Sequence, residues 1–191
     1  MAHLILAGLM GTGKSTIGRL LAERLQCPFV DCDAEIEAVA GKAIAQIFAD
    51  DGEAVFRELE ARVLSTVLKY EQPQIVALGG GAICSAANRE LVKHAGTLVC
   101  LTADPAVIYQ RVQVQAGRRP LLEVAEPLAK IRELLETRQS AYAHADVQVD
   151  TTTLDPPEVV EEVLDWLSRV HVDLGARSYD IHIEEGSHTW V

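Results

Sequence analysis

Gly8-Leu9-Met10-Gly11-Thr12-Gly13-Lys14-Ser15 decides the fold. The stretch has the form G-x-x-x-x-G-K-S. It follows the apolar run 4–7 and opens a stripe of Ile17, Leu20, Leu21 and Leu25 at i, i+3, i+4 and i+8, one face of a helix. Strand, glycine-rich turn and helix in this order suit phosphate binding. The glycines let backbone N–H groups curl around phosphate oxygens, and the helix N-terminus adds partial positive charge. Lys14 then reaches the terminal phosphates, and Ser15 ligates Mg²⁺. The bland alternative is a tight turn without a ligand. Kinases, GTPases and ATPases share the loop, so it implies a nucleotide without naming the reaction.

Working outward, short β-rich runs at 4–7, 29–31, 75–78, 97–101 and 147–149 alternate with helical patterns. Phe56, Leu59, Val63 and Val67 repeat the apolar stripe in a second long helix, and Pro156 and Pro157 suit the start of a last one. That helix carries Val160, Val163, Leu164 and Leu167 on one face and ends near Val170. Near-continuous apolar strands in alternation with helices predict an α/β fold whose parallel sheet is covered on both faces. Between Val112 and Val124 the helical pattern breaks at Gly117 and Pro120, and the stretch reads as a mobile basic loop.

Composition bounds the partners. A chain of 191 residues buries a full core as about one domain, and 49% hydrophobic content excludes a disordered chain. With Lys+Arg 17 against Asp+Glu 28 the formal charge is −11, so nucleic acid is not an expected partner. Of the cations 12 are Arg and 5 are Lys, which favours forked contacts to carboxylate or phosphate at defined sites. Cys27, Cys32, Cys84 and Cys100 form no C-x-x-C pair and are expected to be buried, reduced thiols. No apolar run approaches the ~20 residues that span a bilayer, and no basic leader opens the chain. A cytoplasmic location without membrane attachment is expected, with a monomer as the default state.

Two absences narrow the nucleotide chemistry. The only asparagine is Asn88, followed by Arg89, so no guanine-reading N-K-x-D element exists, and no H-R-D catalytic loop is present. A small-molecule kinase remains. Asp31 and Asp33 end the second strand at i and i+2, and in an extended segment both point into one cleft. One suits Mg²⁺ through water and the other a substrate hydroxyl; a solvated turn capping a helix that starts near Ala34 is the alternative. Arg57 and Arg138, each taken alone, read as helix-surface charges. Gly79, Gly80 and Gly81 follow the third strand directly and allow a ligand to approach backbone N–H groups, as a plain turn also would. Arg118 and Arg119 are placed to close over a transferred phosphate, or else to sit in a solvated basic loop.

Six pieces in sequence order resemble shikimate kinase: Gly8 to Thr16, Asp31-x-Asp33, Phe56-Arg57-x-x-Glu60, Leu78-Gly-Gly-Gly-Ala82, Arg119-Pro-Leu-Leu122 and Arg138-x-x-x-Tyr142. The resemblance covers residues 3 to about 170. It implies a P-loop kinase of the nucleoside-monophosphate-kinase type, with a five-stranded parallel sheet flanked by helices and a lid loop over ATP. It further implies that Asp33, Arg57, Gly79, Gly80, Gly81 and Arg138 bind shikimate, the two arginines clamping its carboxylate. Asp33 would hold the attacking 3-hydroxyl, Lys14 and Arg119 would stabilise the phosphoryl group, and Ser15 with Asp31 would serve Mg²⁺. Gly11, Thr12, Gly13, Lys14, Ser15 and Thr16 would cradle the nucleotide, with Arg111 stacked near adenine. One departure stands out: the loop Asp150-Thr151-Thr152-Thr153-Leu154 lacks the basic residue that many members carry there.

The rivals are a gluconate-type or nucleotide kinase on the same fold, and an inactive nucleotide-binding regulator. The set Lys14, Ser15, Asp33 and Arg119 argues against lost chemistry. Residues 1–170 are read as the kinase domain and 171–191 as a tail, in which Tyr179, Ile181 and Ile183 alternate with polar residues like an unpaired strand. Residues 172–183 are similar to the first strand of 3-dehydroquinate synthase, so the tail reads as the start or remnant of a second domain, or as an unanchored segment. Deleting residues 171–191 is expected to leave thermal stability and activity unchanged; a large loss of either would make the tail integral to the first domain.

Overall fold

β1 (His3–Ala7) is buried along its whole length, which is possible only in the middle of a sheet with both faces covered. The computed structural model describes residues 2–114, 122 and 124–169. After β1 come α1 (Lys14–Leu25), β2 (Phe29–Asp31), α2 (Cys32–Ala40), α3 (Ile44–Asp50) and α4 (Gly52–Val67). They are followed by β3 (Ile75–Ala77), a short 3-10 helix (Ala82–Cys84), α5 (Ala86–Ala95), β4 (Gly96–Thr102), α6 (Pro105–Val114), α7 (Pro127–Tyr142), β5 (Val147–Asp150) and α8 (Pro156–Arg169). The strands form one parallel sheet in the order β2-β3-β1-β4-β5.

Alternation along β1 divides the core. Leu4 and Leu6 face α1 and α8 with Ile17, Leu21, Val160, Val163 and Leu164. Ile5 faces the other way, onto Ile36, Ile47, Phe56, Val63 and Leu64 of the helices between β2 and β3. A third cluster packs Leu9 of the loop after β1 against Ile108 and Val112 of α6 and Ile131 and Leu134 of α7. The phosphate loop is thus seated on apolar side chains of its own domain.

The five expected strands form within a residue or two of their predicted bounds. Two local readings are corrected. The helix after β2 starts at Cys32 and not near Ala34, so Asp33 lies in a first helical turn. Helix α6 runs to Val114, ahead of the break expected at Gly117 and Pro120; Gly117, Arg118, Arg119 and Pro120 lie outside the described residues, as does the tail from residue 170. The four cysteines are free, but only Cys32 and Cys100 are buried, Cys27 is half-buried and Cys84 is exposed. Burial pushes the Cys100 thiol up to about 11, consistent with an inert core group. Among the described residues no helix is long and apolar enough to cross a membrane.

Where β4 meets β1, Gly96 pairs with His3. A Cβ on Gly96 would lie 1.9 Å from the His3 carbonyl oxygen, so the strands approach too closely for any side chain there. Gly96→Ala is expected to cost about 3 kcal/mol, read as a lower urea midpoint with an unchanged slope. An unchanged midpoint would show that β4 shifts without penalty.

Candidate active site

At the carboxyl end of β1 the chain turns at Gly8, whose φ is +132°. A Cβ at this position would lie 2.2 Å from the Leu101 carbonyl oxygen on β4, which explains why the loop begins with glycine. Thr12 fastens the turn from inside, its hydroxyl donating to the Leu9 carbonyl at 2.8 Å. Gly13, with φ +99°, then delivers the chain into α1. Lys14 Nζ folds back over the loop and donates to the carbonyls of Gly8 at 3.0 Å and Leu9 at 3.1 Å.

Ser15, in the first turn of α1, donates its hydroxyl to Asp31 Oδ2 at 2.6 Å. Asp31 is also the N-cap of α2, its Oδ1 accepting the Asp33 N–H at 3.1 Å. Asp31 is thus the helix cap of the alternative reading, and its second oxygen holds the Ser15 hydroxyl at the start of α1. Asp33 reaches the same cleft from a helical turn, not from the extended backbone that i and i+2 suggested.

On the far wall, Arg57 and Arg138 flank the glycines that follow β3. Arg57 is not the solvated charge its helix suggested: its side chain is 36% exposed and its guanidinium carbon sits 5.1 Å from the Phe56 ring centre. Its Nη1 donates to Glu60 Oε2 at 2.9 Å and its Nη2 to Glu53 Oε1 at 3.0 Å. Arg138 is buried, and its Nη1 donates to the Gly80 carbonyl at 2.8 Å, beside the Tyr142 hydroxyl, which donates to the same oxygen at 2.8 Å. Arg111, at the end of α6, donates to the Thr151 hydroxyl and carbonyl beyond β5.

A cleft of about 640 Å³ joins these groups, running from Gly11, Gly13, Lys14, Ser15 and Thr16 past Asp31 and Asp33 to Arg57, the three glycines and Arg138. Its size suits a small ligand beside a nucleotide phosphate tail. Arg111 lies apart from its lining, and Arg119 lies outside the described residues. Cations on two sides of an acidic carboxylate can bind two anionic groups and hold a hydroxyl between them. That is the chemistry of phosphoryl transfer to a carboxylated alcohol. The shikimate kinase family model matches residues 10–168. The chain belongs to the shikimate kinase family.

A shikimate kinase of Gloeobacter violaceus is 47% identical over 165 residues, covering 86% of this chain and 92% of that protein. The solved structure of shikimate kinase from Acinetobacter baumannii in complex with shikimate superposes with a TM-score of 0.82 at 36% identity, covering 87% of this chain and 93% of that one. A gluconokinase from Sinorhizobium meliloti, at 21% identity and a TM-score of 0.57 over 86% of this chain and 90% of that one, shares the fold alone.

Glu60 had been noted only as part of a motif. It is 3% exposed; burial pushes its carboxyl above the usual range and the Arg57 guanidinium pulls it back. The spacing of Arg57 and Glu60 at i and i+3 was the available signal. Glu60 and Asp33 both close on Gly79, where a Cβ would sit 2.7 Å from Asp33 Oδ1 and 3.0 Å from Glu60 Oε1. Gly79→Ala is therefore expected to weaken acceptor binding by about tenfold or more while ADP binding stays within about twofold, measured by calorimetry. Unchanged acceptor affinity would show that the two carboxylates move aside freely.

Proposed function

We propose that the chain transfers the terminal phosphoryl group of ATP to the 3-hydroxyl of shikimate, giving shikimate 3-phosphate and ADP in chorismate and aromatic amino-acid biosynthesis. The observation that carries this reading is the single cleft in which the phosphate loop faces Asp33 and the Arg57 and Arg138 pair. The two guanidiniums hold the acceptor carboxylate from opposite sides of the glycine turn. Arg138 keeps donors to spare, since a guanidinium has five N–H groups and one is spent on Gly80. Asp33 accepts a hydrogen bond from the attacking hydroxyl and turns its lone pair toward the terminal phosphorus.

The O3–P bond forms as the bond from phosphorus to the β,γ-bridging oxygen breaks. ADP leaves with that electron pair, and the hydroxyl proton passes to Asp33 or to water. Lys14 exchanges its two carbonyl contacts for phosphate oxygens, and Arg119 supplies a further charge. A loose transition state asks little of a base, so most of the rate comes from alignment and charge neutralisation.

Mg²⁺ fits the donors at hand. Ser15 Oγ and Asp31 Oδ2, 2.6 Å apart, are hard oxygen donors, and among the described residues no three His, Cys, Asp or Glu side chains group into an all-protein metal cage. This is the sparse arrangement Mg²⁺ uses when phosphates and water complete its shell. When bound, the ion neutralises charge on the phosphate oxygens. The same reading makes the enzyme a cytoplasmic monomer, with residues 1–170 as the kinase domain. The alternation of Tyr179, Ile181 and Ile183 supports residues 171–191 as the start of a unit related to 3-dehydroquinate synthase, a covalent or functional link to the same pathway.

ADP release from Mg-ATP is to be measured with shikimate, gluconate, AMP or no acceptor, with Lys14→Ala as the blank. Turnover is expected with shikimate alone and is lost in the blank. Arg57→Ala and Arg138→Ala are expected to raise the KM for shikimate by about ten- to a hundredfold, the worth of a charged hydrogen bond. Turnover with gluconate or AMP instead would keep the fold and discard the acceptor site, and ATP binding without acceptor-dependent turnover would make the chain a nucleotide-binding regulator.

A further inference from the structure

The loop 150–154 after β5 carries no basic residue, yet a guanidinium lies against it. Arg111 reaches across from α6, Nη1 donating to Thr151 Oγ1 at 2.9 Å and Nη2 to the Thr151 carbonyl at 2.5 Å. Thr151 itself is 2% exposed. Its hydroxyl oxygen also lies 3.0 Å from the Thr102 carbonyl at the end of β4 and 3.3 Å from the Thr12 carbonyl inside the phosphate loop.

A hydroxyl has one proton to give and lone pairs to receive with. Arg111 occupies the receiving side, so the proton goes to one of the two carbonyls. The Thr102 carbonyl accepts the Thr151 N–H at 2.8 Å and keeps a second lone pair, so either carbonyl can take the hydroxyl proton. One buried oxygen thus ties α6, the end of β4 and the phosphate loop together.

We propose that Thr151 is a positioning residue for the nucleotide, fixing the Arg111 guanidinium beside the base. The proposal rests on the reading that the nucleotide lies between that loop and Arg111. Serine offers the same hydroxyl, whereas valine keeps the shape and leaves the Arg111 donor without its acceptor beside a buried residue.

The test compares Thr151→Ser, Thr151→Val, Arg111→Ala and the double variant Arg111→Ala/Thr151→Val by ADP affinity and by the KM values for ATP and shikimate. Thr151→Val is expected to weaken ADP and raise the KM for ATP by about tenfold while the KM for shikimate stays within about twofold. Thr151→Ser should match the parent within about twofold, and the double variant should fall no more than about twofold beyond Arg111→Ala, since both act through one contact. Parental ADP affinity in Thr151→Val, with Arg111→Ala impaired, overturns the proposal alone; parental affinity in Arg111→Ala overturns the nucleotide placement beneath it. Equal rises in both KM values, or additive losses in the double variant, also overturn it by making Thr151 merely structural. If Thr151→Val does not fold, Thr151→Ala against Thr151→Ser decides: a loss of ADP affinity in alanine only supports the proposal, and equal affinities overturn it.

Discussion

Parallel pairing of β1 with β3 on one side and β4 on the other is the constraint on which the site depends. Parallel strands end at the same edge, so the loops after β1, β2 and β3 emerge side by side. The phosphate loop, Asp31 and the glycine turn therefore meet without any long excursion of the chain. The close approach of Leu101 to Gly8 adds a second condition, because it fixes where the phosphate loop leaves the sheet. Asp31 then couples the two halves, one oxygen on α2 and the other on α1.

Charge is distributed to suit this geometry. The chain as a whole carries −11, yet Lys14, Arg57 and Arg138 line one cleft. Burial matters more than number here. Arg138 is held by the Gly80 carbonyl, a neutral acceptor, and its charge acts on the buried Glu60 carboxyl. Arg57 instead shares acids with its own helix, and its orientation is fixed by Glu53, Glu60 and the face of Phe56. The two arginines are thus held differently, one by a carbonyl oxygen and one by the acids of its own helix.

The fold was legible because strand and helix periods are written locally in β1, α1 and α4, and because a phosphate loop demands its own neighbours. Asp33 was placed in the right cleft for the wrong local reason. Asp31 ends the strand by capping a helix at once, so the backbone turns before the i and i+2 rule can apply. Arg138 and Arg57 looked like surface charges because burial of an arginine is set by what packs over its helix, here the turn at Gly79, Gly80 and Gly81. Thr151 was unreadable as more than a loop residue, since its partners lie on three distant elements.

The contact between Thr151 and Thr12 joins residues 139 positions apart, and this sets an order of events during synthesis. α2, α3 and α4 can form while the rest of the chain is still being made, because their contacts with one another are local. The surroundings of the phosphate loop cannot. Until β5 has left the ribosome and docked beside β4, the phosphate loop lacks its tie to Thr151 and α6 has nothing to hold Arg111. A nascent chain is therefore unable to complete the contacts that brace the phosphate loop before nearly all of the domain exists.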